Sequence, residues 1–219
     1  MVQLKRLLRP IYAPFVRGYR RRRELRRDQM RIREEVRQTI DGGRAVKVII
    51  GAGQTRFQGW IATDVPAFDV RKREHWVLLF PPMSIDRMLA EHVFEHLTTA
   101  EFAHFLAFAR QHLSASGRIR IAVPDGNHPD SDYIARVRPG GIGEGADDHK
   151  ALYTCDLISE LLREQDYQFE LLEYFDDSGR FHQRAWKAED GFVGRSADHD
   201  QRNKGGQLNF TSLIIDCWR

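Results

Sequence analysis

The segment that most constrains the fold is residues 46–53, where the apolar run Val-Lys-Val-Ile-Ile leads directly into Gly51-Ala52-Gly53. Such a run is typical of a strand buried in a parallel sheet, and a Gly-x-Gly turn lets the backbone approach a ligand where a side chain would collide. A second short strand, predicted at 60–64, ends in Asp64, whose carboxylate can accept hydrogen bonds from both ribose hydroxyls. Together these features predict an open α/β sheet with a nucleoside-binding first turn.

Composition limits what the rest of the chain can be. Its 219 residues are enough for one α/β domain with an appendage, and no apolar run approaches the roughly 20 residues of a membrane span. Cys155 and Cys217 are too few for a disulfide framework and lack C-x-x-C spacing. We therefore expect reduced thiols in a cytoplasmic protein.

The basic charge is confined to the N-terminal end. Residues 1–40 contain thirteen basic and four acidic residues, a net +9; because the whole chain carries +3, the other 179 residues carry −6. We divide the chain into a basic helical arm, residues 1–43, and an α/β domain, residues 44–219. The acidic domain argues against nucleic acid as a partner. Residues 1–40 favour peripheral contact with an anionic membrane at its inner face, or with an acidic partner, and a solvated helix packed on the domain is the alternative.

Strands and helices alternate after residue 45, which predicts a mostly parallel sheet. The predicted strands are 46–50, 60–64, 67–70, 85–90, 118–123, 169–175 and 208–217, and the predicted helices are 98–115 and 151–165. A long polar segment separates the last two strands. It predicts either a lid over a polar acceptor, with Trp186, Phe192, Arg195 and Arg202 as contacts, or an insertion fixed by aromatic packing.

Three further motifs point to a family. They are Ala90-Glu91-His92-Val93-Phe94-Glu95-His96, Ile121-Ala122-Val123-Pro124-Asp125 and Phe210-Thr211-Ser212-Leu213-Ile214. With the Gly51-Ala52-Gly53 turn and Asp64, they resemble the class I S-adenosylmethionine-dependent methyltransferases. Within that class they are similar to the small predicted methyltransferases linked to bacterial surface-glycan biosynthesis. The resemblance covers residues 45–219.

The resemblance implies a Rossmann-like methyltransferase fold. Its sheet would have seven mostly parallel strands with an antiparallel last strand, and helices on both faces. S-adenosylmethionine would lie across the carboxyl ends of the first strands. By position, the cofactor-binding residues would be Gly51, Ala52, Gly53, Asp64, Asp69, Ala90, Glu91 and His92. The glycines would line the methionine side, Asp64 the ribose, Asp69 the adenine amino group, and residues 90–92 the sulfonium.

We expect O-methylation of a small or glycan-type acceptor. A base must then remove the hydroxyl proton. The candidates follow strands of the sheet: His149, which is preferred, then His128, Asp125 and His92. Asp147 and Asp148 are expected to cap a helix starting near His149. The preferred interpretation has no metal; a divalent ion bound by Asp125, Asp147, Asp148 and a histidine is the alternative.

Other functions compete for the same residues. A nicotinamide-dependent dehydrogenase would need a small residue where Arg56 stands, and a later ribose acid. His92-Val93-Phe94-Glu95-His96 matches the H-x-x-E-H string of inverted zinc peptidases. The string begins at a strand end, so we expect Glu95 and His96 to form hydrogen bonds at a helix start instead.

A non-catalytic module, recruited to a membrane or partner by the basic arm, is the alternative of a different class. This alternative remains because Ile49 stands where the family usually has an acid in the first strand, and because the turn lacks a third glycine. A nucleic-acid methyltransferase ranks third.

Overall fold

The protein is built around one seven-stranded sheet. A computed structural model describes the backbone of residues 2–203, 205 and 208–219, and the side chains of these residues from 19 onward. The α-helices are α1 (Val2–Asp41), α2 (Arg73–Leu79), α3 (Thr99–His112), α4 (Ser131–Val137) and α5 (Cys155–Glu164). The strands are β1 (Val46–Ile50), β2 (Ile61–Ala62), β3 (Ile85–Glu91), β4 (Leu113–Pro124), β5 (Gln168–Phe175), β6 (Phe181–Gln183) and β7 (Ser212–Trp218). Short 3-10 turns occur at Phe94–His96, Ala146–Asp148, Ala188–Asp190 and Gln201–Asn203.

The strand order is β2-β1-β3-β4-β7-β5-β6. The first four strands are parallel, and β7 lies antiparallel between β4 and β5. This arrangement confirms the predicted fold class: an open, mostly parallel sheet whose last strand is antiparallel. Since the chain passes from β1 outward to β2 and then back to β3, a crevice opens at the carboxyl end of β1.

The two faces of the sheet are covered differently. Alternate residues of the central strands, such as Val48, Met88 and Ile121, pack with α1, α2, α3 and α5 in the larger core cluster. Their neighbours on the other face, including Leu89 and Ala122, form a smaller cluster. This cluster is covered by side chains of the connecting segments, namely Phe57, Trp60, Trp186 and Val193. The 3-10 turn Ala188–Asp190 contacts this second face, where the Glu189 carbonyl accepts from Lys47 and the Asp190 carboxylate from Arg87.

The helical character predicted for the basic arm is confirmed by α1. Its second half packs on the domain: Ile32 and Val36 are buried, and the side-chain amide of Gln29 donates to the carbonyl of Ala67 at 3.1 Å. The division of the chain at residue 43 stays a prediction. Among the described helices, none combines the length and apolar character needed to cross a membrane.

The strand predicted at 67–70 is not formed. Residues 65–71 make turns instead, in which the N–H of Phe68 donates to the carbonyl of Asp64 at 2.9 Å and that of Lys72 to Asp69 at 3.0 Å. These local bonds use backbone groups that a ladder would require. The seventh strand of the sheet is β6, which pairs with β5 as a hairpin and was not predicted.

Several boundaries also differ from prediction. Strand β2 is shorter than 60–64, β7 begins four residues later than position 208, and α3 ends at His112 because the next residues already belong to β4. Helix α5 begins at Cys155, where the Thr154 hydroxyl accepts from the N–H of Leu157 at 3.2 Å. The prediction that Asp147 and Asp148 cap this helix is therefore wrong; they lie in an earlier 3-10 turn.

Candidate functional site

The glycine turn after β1 is held by the end of β2. The N–H of Ala52 donates to the Thr63 carbonyl at 2.9 Å, and the N–H of Gly53 donates to the Asp64 carboxylate at 2.8 Å. Both glycines have positive φ, +61° at Gly51 and +50° at Gly53. A Cβ on Gly51 would lie 2.6 Å from Cγ2 of Val93, whereas one on Gly53 would meet no atom within 4 Å. Gly51 is thus required by packing, and Gly53 leaves open space beside the turn.

Asp64 joins the turn to the segment that follows β2. Its Oδ2 accepts from the N–H of Gly53 at 2.8 Å, and its Oδ1 accepts from the N–H of Val65 at 2.7 Å. Each carboxylate oxygen has two acceptor positions, so both oxygens keep one for a ligand. The side chain is half-buried at the wall of a cavity. The geometry suits a pair of adjacent hydroxyls.

Two adjoining cavities form a cleft at this edge of the sheet. The Asp64 cavity, about 420 Å³, has Asp64 and Asp69 in its wall together with the apolar side chains of Phe68, Val70 and Leu97. The glycine-loop cavity, about 350 Å³, is lined by residues 49–55 on one side and by Glu91, Glu95, His149 and Arg195 on the other. Ile50, Gly51, His92 and His96 line both cavities. The combined space is in the range of small-molecule sites.

Asp69 is buried in the Asp64 cavity and is already paired. Its Oδ1 accepts from Nε of Arg71 at 2.8 Å and its Oδ2 from Nη2 of the same residue at 2.9 Å. The Arg71 guanidinium holds the pKa of Asp69 below its ordinary value. A role in accepting from an adenine amino group stays a prediction, and it would use the remaining acceptor positions of this carboxylate.

The end of β3 delivers two side chains to the cleft. Ala90 is fully buried in the strand, while Oε1 of Glu91 accepts from the N–H of Arg195 at 2.8 Å. His92 leaves the strand with φ +53°, and its Nε2 lies 3.0 Å from the hydroxyl of Ser212. Burial keeps the pKa of His92 well below its usual range.

The structure also brings together a cluster that was not predicted. Glu95, His96 and His149 each offer a ligand atom, and these atoms lie within 4.8 Å of one another. Within the described residues, the Glu95 carboxylate oxygens have no hydrogen-bond partner, so the expectation that Glu95 forms a hydrogen bond at a helix start is wrong. That helix, α3, is capped by Thr98 with Glu101. The H-x-x-E-H string contains Glu95 and His96, but the third member of the cluster, His149, follows His96 by 53 residues.

His128 and Asp125 are placed differently from the other candidate bases. His128 is buried and stacks on Tyr133 with ring centroids 4.0 Å apart. Asp125 is buried, and its oxygens accept from the N–H groups of Asn127 at 2.9 Å and Phe175 at 2.7 Å. Neither residue lines the two cavities of the cleft. Within the described part of the chain, the alternative metal site at Asp125, Asp147, Asp148 and a histidine does not assemble as a ligand cluster.

The polar segment before β7 behaves mainly as a packed insertion. The indole N–H of Trp186 donates to Glu173 at 2.9 Å, and Phe192 packs edge-on against Phe57 at 5.9 Å. Arg202 pairs with Asp200 at 2.6 Å. Of the four side chains considered for a lid, Arg195 is the one that lines the cleft.

No protein-family model and no curated protein matches this sequence. Among solved structures, the chain is similar to a SAM-dependent methyltransferase from Archaeoglobus fulgidus, with 14% identity over 86% of this chain and 92% of that one and a TM-score of 0.44. It is also similar to the 1,6-didemethyltoxoflavin-N1-methyltransferase of Burkholderia thailandensis, with 18% identity, 94% and 86% coverage and a TM-score of 0.47. A third structure, an S-adenosylmethionine-dependent methyltransferase from Mesorhizobium loti, shows 14% identity, 80% and 91% coverage and a TM-score of 0.48. At such identities, ligand and reaction have to be inferred from the residues of this chain.

Proposed function

We propose that this protein is an S-adenosylmethionine-dependent methyltransferase that acts on an oxygen of a small or glycan-type acceptor. The observation that carries the proposal is the Asp64 carboxylate, which closes the glycine turn through Gly53 and keeps free acceptor positions at the wall of a cavity. A carboxylate in that place at the end of the second strand suits the ribose of a nucleoside.

The cleft has room and chemistry for the cofactor. We assign the adenosine to the Asp64 cavity, whose wall includes Phe68, Val70 and Leu97, and the methionine part to the glycine-loop cavity. The open space at Gly53 admits a ligand against the backbone. Glu91, at the border of that cavity, is an acidic neighbour for a positively charged sulfonium. When bound, S-adenosylmethionine supplies an electrophilic methyl group.

Methyl transfer requires an acceptor oxygen in line with that methyl group. The oxygen forms a bond to the methyl carbon while the carbon–sulfur bond breaks and its electron pair stays on sulfur. The hydroxyl proton goes to a base. Of the four candidates, His149 suits this part best: it lines the cleft, and its Nδ1 lies 2.6 Å from the carbonyl of Val137. Because that Nδ1 carries the proton, Nε2 is left with a lone pair.

Calorimetric titration with S-adenosylhomocysteine tests the proposal. We expect saturable one-to-one binding by the full chain. Asp64→Asn should bind about 10- to 100-fold more weakly, because it loses charge-assisted hydrogen bonds worth about 1.5–3 kcal/mol. Asp177→Asn, at an exposed aspartate in the turn after β5, is the matched control. Absence of binding by the wild type, or equal affinity of Asp64→Asn and wild type, would refute the proposal.

We further propose that the basic arm contacts an anionic membrane surface. Arg20, Arg22, Arg23, Arg26 and Arg27 are exposed on α1, and basic residues near such a surface contribute about 1 kcal/mol each. Flotation with vesicles containing phosphatidylserine should retain the protein at low salt and release it at high salt. Equal recovery with purely zwitterionic vesicles would contradict this role. Vesicle binding without any cofactor binding would instead favour the non-catalytic module.

A further inference from the structure

A buried carboxylate without a hydrogen-bond partner lies at the wall of the glycine-loop cavity. Glu95 is 1% exposed, and neither of its carboxylate oxygens accepts a hydrogen bond from the described residues. Buried ionised carboxylates normally have a paired cation or several hydrogen-bond donors, since desolvation of an unpaired charge otherwise costs about several kcal/mol. Burial raises the pKa of Glu95 to about 8. Among the described residues, no Lys or Arg side chain forms an ion pair with these oxygens.

His92 lies beside Glu95 but does not satisfy its carboxylate oxygens. The Ser212 hydroxyl donates to the Arg195 carbonyl at 2.7 Å, so it accepts the hydrogen bond from Nε2–H of His92 at 3.0 Å. Nδ1 of the same ring lies 3.3 Å from Oε1 of Glu95, but the contact does not have hydrogen-bonding geometry. Both Glu95 oxygens therefore keep their lone pairs for a ligand.

Two further histidines provide the other ligands. His96 and His149 approach each other with ring centroids 4.8 Å apart and nearly perpendicular rings. The hydrogen bond from Nδ1 of His149 to the Val137 carbonyl, 2.6 Å long, fixes the tautomer that presents Nε2. Such a bond to a carbonyl is what orients most metal-bound histidines. Nδ1 of His96 lies 3.5 Å from a carboxylate oxygen of Asp148, which gives that ring an acidic neighbour as well.

We propose that Glu95, His96 and His149 form a binding site for a divalent first-row transition-metal ion. Their ligand atoms already lie within 4.8 Å of one another, and ligands held at about 2.0–2.2 Å from an ion are separated by roughly 3–3.5 Å in tetrahedral geometry, so small side-chain rotations close the site. Two imidazoles with one carboxylate favour zinc, iron(II) or cobalt(II) over magnesium or calcium. Nδ1 of His92 is within reach as a fourth donor.

The location of the site gives it a part in the proposed reaction, and this step rests on the proposed function. All three ligands line the glycine-loop cavity, opposite the turn at 51–53. An ion held there would supply a positive charge that lowers the pKa of an acceptor hydroxyl beside it. With the ion bound, His149 would be a ligand, and the hydroxyl proton would pass to solvent instead of to His149. The acceptor class is accordingly an alcohol or phenol that reaches this cavity.

Zinc binding to the tag-free full chain tests the site. After removal of metals with a chelator, titration with zinc chloride against a chromogenic indicator should show one tight equivalent. Glu95→Gln and His149→Ala should each bind zinc at least tenfold more weakly, since even loss of an outer-shell partner weakens metal sites by about 10- to 100-fold. His104→Ala, at an exposed histidine of α3, is the matched control and should bind like the wild type.

Glu95→Gln keeps the shape of the side chain and removes a buried charge, so this variant should fold; circular dichroism checks that. A wild type that binds no zinc, or folded Glu95→Gln and His149→Ala that both bind it like the wild type, would overturn the site. Titration of the same samples with S-adenosylhomocysteine separates this inference from the proposed function. Cofactor binding without zinc binding overturns the metal site alone, whereas zinc binding without cofactor binding supports the site and overturns the methyltransferase.

Discussion

Arg120 and Asp216 lie directly opposite each other on β4 and β7 and form a buried, two-pronged ion pair. Nε and Nη2 of Arg120 donate to the two carboxylate oxygens of Asp216 at 2.7 and 2.8 Å. Nη1 donates to the carbonyls of Lys187 and Gly191 at 2.8 and 2.6 Å. With 2% of its side chain exposed, Arg120 links the sheet to the segment that covers its second face.

Arg120→Ala should therefore lower the free energy of unfolding by about 3–5 kcal/mol, because it leaves a buried carboxylate and two carbonyls without their donor. Urea denaturation followed by tryptophan fluorescence measures the change. Arg184→Ala, which breaks the exposed pair with Glu170, is the control and should cost less than about 1 kcal/mol. Similar losses in the two variants would contradict the role assigned to the buried pair.

A second prediction concerns the contact between the glycine turn and the end of β3. Gly51→Ala places a Cβ 2.6 Å from Cγ2 of Val93, at a residue with φ +61°. Gly53→Ala places its Cβ at a residue with φ +50°, where it meets no atom within 4 Å. Both substitutions carry the cost of a left-handed residue, about 1–2 kcal/mol, and Gly51→Ala adds overpacking of about 1–3 kcal/mol. In urea denaturation, Gly51→Ala should therefore have a lower free energy of unfolding than Gly53→Ala.

The double variant Gly51→Ala, Val93→Ala separates these two causes. Removal of the Val93 methyl groups relieves the collision but not the φ strain, so the double variant should regain part of the lost stability. If it is as unstable as the sum of the two single variants, the collision does not limit the turn.

The glycine turn and Asp64 could be predicted because each depends on short-range sequence. The apolar run before Gly51, and the short path from there to Asp64, specify a strand, a turn and a second strand end. The strand predicted at 67–70 does not form, because two turn hydrogen bonds, from the N–H groups of Phe68 and Lys72, satisfy the backbone locally. Apolar composition does not distinguish a buried turn from a short strand.

The Glu95, His96 and His149 cluster could not be predicted as a site from local pattern. Its assembly depends on the N–H of Lys150, which donates to the Glu95 carbonyl at 2.7 Å and places His149 above the 3-10 turn. That bond joins segments more than fifty residues apart in the chain. The H-x-x-E-H string predicts such a site only on a continuous helix, whereas Glu95 and His96 lie in the 3-10 turn Phe94–His96 and His149 in a loop.

A third prediction concerns acid stability at the wall of the cleft. Nδ1 of His75, a buried histidine, accepts from the N–H of Asp69 at 2.9 Å, and burial lowers the pKa of His75 from its ordinary 6.5. The unfolded chain then binds a proton that the folded state resists. This contribution to stability is complete above pH 6.5 and is lost as the pH falls through the lowered pKa of the folded state.

His75→Gln retains an oxygen that can accept from Asp69 but does not titrate. Its free energy of unfolding should fall less steeply between pH 7 and pH 5 than that of the wild type, in urea titrations at matched ionic strength. His104→Gln, at an exposed histidine, should keep the wild-type slope. Equal slopes in all three proteins would mean that His75 does not contribute to acid sensitivity.

The last prediction concerns Glu173, which holds the polar segment before β7 in place. This fully buried carboxylate accepts from the Trp186 indole at 2.9 Å, from the N–H of Ala197 at 2.7 Å and from the Thr211 hydroxyl at 2.8 Å. In Glu173→Gln an NH₂ group must face at least one of these donors. The substitution should therefore lower the free energy of unfolding by about 1–3 kcal/mol.

Because two of the three donors belong to the segment 184–203, its local opening should be favoured as well. Limited digestion with trypsin, which can cut at Arg184, Lys187, Arg195 and Arg202, should proceed several-fold faster in this segment for Glu173→Gln than for the wild type. Glu160→Gln changes an exposed residue of α5 and should be cut at the wild-type rate. Wild-type cleavage of Glu173→Gln at these four sites would show that other contacts, such as the Arg120 bonds to Lys187 and Gly191, are sufficient to hold the segment.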